Sequence, residues 1–323
     1  MPASHHVLVV GGTGFIGFHA VMELRRRGHK VKALARSLPP PGVLPADVPF
    51  VRVDCTEASD RELSDATAGM DAVIFAAGAD DRVVPRAPAD AFFRRQNVDP
   101  VRRLFAAARE TGAKRGVVCG SYFAYFDRVR PKWRLAHGHP YIRSRREQTR
   151  AAFEVGGDAM AVCVLELPYI FGRAPGRVPL WRPLVRYAAS RWPLLYTAGG
   201  SNMVSVHRVA EAIAGAVERG RRRTCYPVGD ENRTWRDLLE RVSRLAGRPQ
   251  RVRTLPEPVL RTAAAVLRVS HSVRGLETGL DPVAFLRVQT ERAYFDPTET
   301  QRALGFSGGG LDEAIRDTVE ACR

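Results

Sequence analysis

Along the first half of the chain, short apolar runs alternate with stretches whose apolar positions recur every three to four residues. Residues 7–10, 31–35, 50–53, 72–75, 116–119 and 161–167 are the apolar runs, each with the length of a buried strand. Between them, residues 15–27, 61–68 and 89–110, and a segment starting near Tyr141, carry the helical period; the first stops at Gly28. Pro39-Pro40-Pro41 marks 37–49 as a loop, and another loop runs through Trp133. Strands and helices in this rhythm predict an α/β protein built on a doubly wound parallel sheet.

The rhythm ends near Gly172. Short elements are expected at 180–189 and 204–206, with a turn at Gly199-Gly200, and helices at 207–218, 235–246, 256–267, 298–304 and 311–321. The predicted organisation is a large sheet domain over 1–168, to which 203–228 return, and a smaller C-terminal α/β cap formed by 169–202 and 229–323.

Composition narrows this picture. A chain of 323 residues that is 45% hydrophobic buries a full core. No apolar run approaches the roughly 20 residues of a membrane helix, and the start lacks the pattern of a signal peptide. A cytoplasmic protein with no membrane partner is expected. Cys55, Cys119, Cys163, Cys225 and Cys322 show no CxxC spacing, and His137 and His139 have no ligand set beside them, so no metal is expected. The net charge of +16 is dispersed: 46 of the 50 basic residues are arginine, and clusters such as 25–27 and 221–223 close helices. It favours an anionic small molecule over nucleic acid.

Candidate chemistry begins at Gly11-Gly12-Thr13-Gly14-Phe15-Ile16-Gly17, between the first strand and the first helix. Glycines there let backbone amides and a helix N-terminus approach a pyrophosphate, the signature of a Rossmann-type dinucleotide site. An acidic residue at the end of the second strand would bind the ribose 2′-hydroxyl of NAD. Arg36 stands there instead, which suits the 2′-phosphate of NADP; NAD is the alternative.

The chain resembles the extended short-chain dehydrogenase/reductases, the NAD-dependent epimerase/dehydratase family, over nearly its whole length. The glycine motif carries the resemblance, together with Val53-Asp54, Phe75-Ala76-Ala77-Gly78, Asn97-Val98, Val206-His207-Arg208-Val209-Ala210 and Phe295-Asp296-Pro297-Thr298 with Leu304-Gly305-Phe306. It implies that Asp54, Cys55, Ala76, Ala77, Gly78, Asn97 and Pro168 join Gly11, Thr13, Gly14, Phe15, Ile16, Gly17 and Arg36 around the cofactor. It also implies a catalytic serine after the fifth strand and a Y-x-x-x-K motif on the next helix. Here these are Ser121 and Tyr141-Ile142-Arg143-Ser144-Arg145, with arginine replacing lysine.

Arg145 can lower the Tyr141 pKa as a charge and hold the ribose, but it cannot pass a proton onward. In Leu165-Glu166-Leu167-Pro168-Tyr169-Ile170-Phe171-Gly172, Glu166 replaces the family's arginine and Tyr169 the asparagine that binds sugar-nucleotide phosphates. Tyr122, Trp133, Tyr169, Phe171 and Trp181 are expected to line an apolar substrate pocket. The sequence therefore predicts an NADP-dependent reductase or dehydrogenase acting on a carbonyl or secondary alcohol of a small molecule. The alternatives are a sugar-nucleotide epimerase or dehydratase with tightly held NAD, and a dinucleotide-binding sensor that has lost catalysis. The resemblance also raises a homodimer through the helices near 91–110 and Tyr141; Arg102, Arg103, Arg143, Arg146 and Arg150 would bring like charge to that seam.

Overall fold

In the computed structural model, which describes residues 4–323, six strands follow one another through the first half: β1 (His6–Val10), β2 (Lys30–Ala35), β3 (Phe50–Arg52), β4 (Ala72–Phe75), β5 (Arg115–Ser121) and β6 (Ala161–Leu167). Four further strands are β7 (Tyr169–Phe171), β8 (Leu195–Tyr196), β9 (Gly200–Ser205) and β10 (Thr224–Pro227). Seven of these form one parallel sheet in the order β10-β6-β5-β4-β1-β2-β3. The strand order reverses at β1, the switch point where open α/β sheets bind ligands.

The first helices are α1 (Phe15–Arg26), α2 (Asp60–Thr67), α3 (Ala89–Phe93), α4 (Asp99–Glu110), α5 (Tyr122–Val129), α6 (Leu135–Gly138) and α7 (Pro140–Gly156), and later come α8 (Arg182–Ala188) and α9 (Val206–Arg219). Strand pleating divides their partners. Val7 and Val9 point into a core with Val21, Leu24, Ile213 and Val217 of α1 and α9, whereas Leu8 and Val10 pack with Leu63, Leu104 and Ala152 of α2, α4 and α7. Burial on both faces explains why β4 reads as an unbroken apolar run.

The expected helix over 89–110 is interrupted by a π-helical turn, Arg94–Val98. Pro100 supplies no N–H and crowds the carbonyl four residues earlier, so the ladder widens there. The loop expected through Trp133 contains α5 and α6. Tyr122, Phe123, Ala124 and Phe126 are all buried, which hides the one-sided stripe that betrays a surface helix.

The remaining elements are α10 (Trp235–Leu245), α11 (Glu257–Val273), α12 (Pro282–Thr290), α13 (Thr298–Leu304) and α14 (Leu311–Glu320), with β11 (Glu231–Thr234), β12 (Arg253–Thr254) and β13 (Arg292–Ala293). Strands β7, β9, β11 and β13 make a second sheet, packed with α8, α10 and α14. Leu304 and Phe306 join the core beneath the large sheet, so this last stretch is shared between the two layers. Among the described residues, no helix is long and apolar enough to cross a membrane, and no cluster of histidine, cysteine or carboxylate groups could hold a metal ion.

Candidate active site

The glycine turn is built by close backbone approach. Gly11 has φ +82°, and a side chain there would put its Cβ 2.6 Å from the Ala76 carbonyl oxygen. A Cβ on Gly17 would overlap the Gly11 carbonyl, so α1 can begin tight against the turn only with glycine. Gly14 is the N-cap and offers no side chain to the first amides of α1, leaving them for an anion.

Two adjoining cavities flank this turn. One, of about 580 Å³, is lined by Gly11, Thr13, Gly14, Arg36, Asp54, Cys55, Ala76, Ala77 and Gly78. Arg36 is exposed at its rim, just beyond β2. Asp54 accepts hydrogen bonds from the Thr56 amide at 3.0 Å and hydroxyl at 2.8 Å. Burial raises the Asp54 carboxyl, but these bonds win and hold it below its usual range, while burial pushes the Cys55 thiol up to about 12.

The second cavity, of about 230 Å³, is lined by Phe15, Ile16, Ala76, Ala77, Gly78, Ser121, Tyr122, Tyr141, Arg145, Pro168, Tyr169 and Trp181. Ser121 ends β5 and caps α5, its hydroxyl accepting from the Phe123 amide at 3.4 Å. Tyr141 lies in the first turn of α7, its ring set edge-on against Phe93. Its amide donates to the Gly279 carbonyl at 3.0 Å, and His139 Nδ1 accepts from the Asp281 amide at 3.0 Å. The linker before α12 thus holds the start of the tyrosine helix.

Burial pushes the Tyr141 phenol above its ordinary value, and the Arg145 charge is the strongest influence pulling it down. The net direction corrects the expectation that Arg145 lowers this pKa below normal: desolvation outweighs the cation. Arg145 Nη1 donates to Gln148 Oε1 at 2.9 Å and Nη2 to the Ala79 carbonyl at 3.2 Å, while its Nε has no partner. The guanidinium is therefore positioned by protein groups on two sides.

Four expected residues are not brought into these cavities. Asn97 is fully buried: its Oδ1 accepts from the Ala79 amide at 2.9 Å, its Nδ2 donates to Ser144 Oγ, and its carbonyl accepts from Gln148. It fixes the turn after β4 to α7. Trp133 stacks on Phe126 at 5.6 Å and lies under Arg130, away from both cavities, because it sits on the short turn Pro131–Trp133 after α5 and packs back onto that helix. Phe171 alternates inward on β7 and stacks beneath Trp181 at 4.4 Å. Gly17 likewise lies behind the turn. Tyr122 lines the cavity, with its hydroxyl 2.9 Å from Ser201 Oγ.

The structure adds groups that the motifs did not reveal. Asp81, after β4, joins the Tyr141 cavity; burial pushes its carboxyl up, with Arg82 the strongest opposing charge. Arg177 lines both cavities. The Asp80-Asp81-Arg82 run was visible in the sequence, but nothing in it showed that the turn faces inward. Glu166 is fully buried and accepts two bonds from Arg128 at 2.5 and 2.8 Å, so the charge lost from β6 reappears on α5.

A parallel sheet with a glycine turn at its switch point, and a serine and tyrosine converging beside it, defines a dinucleotide-dependent enzyme class. The chain belongs to the NAD dependent epimerase/dehydratase family, which it matches over residues 7–239. It is 30% identical to the 3-diazoavenalumate denitrifying reductase of a Streptomyces species, over 77% of this chain and 84% of that one. It is 24% identical to a Synechocystis protein provisionally named a dihydroflavonol 4-reductase, over 96% of this chain and 92% of the relative. Among solved structures, a nucleoside-diphosphate-sugar epimerase from Pseudomonas aeruginosa superposes with a TM-score of 0.76 at 19% identity, covering 99% of this chain and 97% of that one.

Proposed function

We propose that this protein is an NADP(H)-dependent reductase or dehydrogenase that interconverts a carbonyl and a secondary alcohol on a small, largely apolar molecule. The observation that carries the reading is the meeting of Ser121, Tyr141 and Arg145 on an aromatic-walled cavity adjoining the glycine-turn cleft. The donor set fits a dinucleotide: bare helix amides for a diphosphate, Arg36 for a 2′-phosphate, and Gly78 and Pro168 as close walls. When bound, the nicotinamide supplies or accepts the hydride.

The protein's own groups do the rest. Tyr141 donates its phenolic proton to the developing alkoxide, and Ser121 hydrogen-bonds the same oxygen. Arg145 stabilises the tyrosinate left behind and screens it from the Asp81 carboxylate. Tyr169 and Trp181 offer flat apolar contact, where the family's asparagine would hold a sugar nucleotide's phosphates.

The test follows NADPH absorbance over a panel of aromatic and aliphatic carbonyls. Wild-type protein is expected to consume NADPH, and Tyr141→Phe to lose about 100-fold or more in kcat with little change in NADPH affinity. Full turnover in Tyr141→Phe would end the assignment. Arg145 in the place of the family's lysine favours one second reading, a dinucleotide sensor; normal NADPH binding without turnover, and activity created by Arg145→Lys, would establish it.

A further inference from the structure

The segment from Arg173 to Trp181 crosses between the two cavities and is anchored to the cofactor domain at several points. His19 of α1 donates through Nε2 to the Arg173 carbonyl at 2.8 Å. Gly176 passes so close to the loop after β2 that a Cβ there would lie 3.3 Å from Pro40 Cγ. Trp181 donates its indole N–H to the Ile170 carbonyl at 2.8 Å, and Arg82 lies over its ring at 5.5 Å. In the middle, Arg177 Nε donates to the Thr13 carbonyl at 3.2 Å, on the glycine turn itself.

That single bond aims the guanidinium. Thr13 immediately precedes the N-cap of α1, whose first amides have no side-chain cap. Arg177 lines both the Arg36 cavity and the Tyr141 cavity, so it stands at their junction. With Nε fixed, both terminal nitrogens lack a hydrogen-bond or ion-pair partner among the described residues. Arg177 is exposed, and a planar fork anchored on the carbonyl just before the uncapped start of α1 suits bidentate recognition of a phosphate.

We propose that Arg177 is a binding residue for the cofactor diphosphate, carried by a strap of residues 173–181 that closes over the glycine turn. The proposal rests on the dinucleotide reading and adds to it a contact from outside the glycine motif. The helix amides and Arg177 then grip the diphosphate from opposite sides, and the strap must lift for the dinucleotide to leave. Because the strap also supplies Trp181 to the substrate cavity, cofactor binding orders that wall.

The experiment measures binding of NADPH, ADP and adenosine 2′-monophosphate to the intact protein by calorimetry and NADPH fluorescence, with circular dichroism confirming the fold of each variant. Arg177→Ala is expected to weaken NADPH and ADP by about 10-fold or more, as loss of a charged hydrogen bond to phosphate does. Adenosine 2′-monophosphate, which lacks the diphosphate, is expected to bind as before. Arg177→Lys, keeping the charge without the fork, should fall between. Arg36→Ala should show the converse, losing NADPH and adenosine 2′-monophosphate while sparing ADP.

Unchanged NADPH affinity in Arg177→Ala would overturn the proposal. So would an equal loss for all three ligands, which would mean that the strap merely orders the cleft. Wild-type protein that binds no nicotinamide dinucleotide would overturn the underlying reading as well. Wild-type binding with an indifferent Arg177 would defeat the strap alone.

Discussion

The guanidinium carbon of Arg145 stands 5.1 Å from the centre of the Tyr141 ring, one helical turn further along α7. At that separation, with an effective dielectric near 20, the pair is worth about 3 kcal/mol, the order needed to move a phenol by about two pH units. Burial opposes it, and Asp81 adds a negative charge to the same cavity.

Two variants should therefore move the acid limb of the alcohol-oxidation rate, the pH at which that rate rises, in opposite directions. Ionised Tyr141 accepts the proton in that direction, so Arg145→Gln should shift the limb to higher pH and Asp81→Asn to lower pH. Profiles of kcat against pH between 6 and 11 would decide it. Parallel shifts would show that the Tyr141 phenol does not control the limb.

Stability should decline in alkali. The thiols of Cys55, Cys119, Cys163 and Cys225 are each pushed up to about 12 by burial, from 9.0. Below about pH 9 both folded and unfolded chains keep these protons, and no dependence arises from them. Above it the unfolded chain releases protons that the folded one retains, so stability falls as pH rises toward 12. Urea titrations from pH 7 to 11 should show this slope, reduced in Cys163→Ala. A flat profile above pH 9 would contradict it.

Arg128→Ala should destabilise the protein by about 3 kcal/mol or somewhat less, since it strips the buried Glu166 of the cation that pairs with it among the described residues. The arginine is 42% exposed, so water replaces part of its contribution. Replacing both residues by methionine should restore most of the loss in urea unfolding. A double variant as weak as the single one would remove the pairing argument.

The strands, the glycine turn and the order of Ser121 and Tyr141 were legible because each is a local pattern. What was hidden depends on distant chain. Thr224–Pro227 is too short and too near a proline to announce a strand, yet pairing with β6 makes it one. Trp133 carried the right chemistry for a pocket, but its direction is set by α5, whose aromatic residues conceal their own helix. The arginines expected to repel at a dimer seam have partners on their own chain: Arg103 meets Asp60 at 2.7 Å, Arg143 Asp90 at 2.9 Å and Arg146 Asp127 at 2.6 Å. Charge counted along the sequence did not show that neutralisation.

The Gly279 carbonyl that accepts from the Tyr141 amide bears on how such proteins can be recombined. A Cβ at Gly279 would lie 2.9 Å from Tyr141 Cβ, and closer still to Phe93. The C-terminal lobe is thus no interchangeable module. A chimera that grafts another relative's lobe after residue 239 inherits a foreign latch on the tyrosine helix, and its activity will depend on whether the donor brings a glycine to that point.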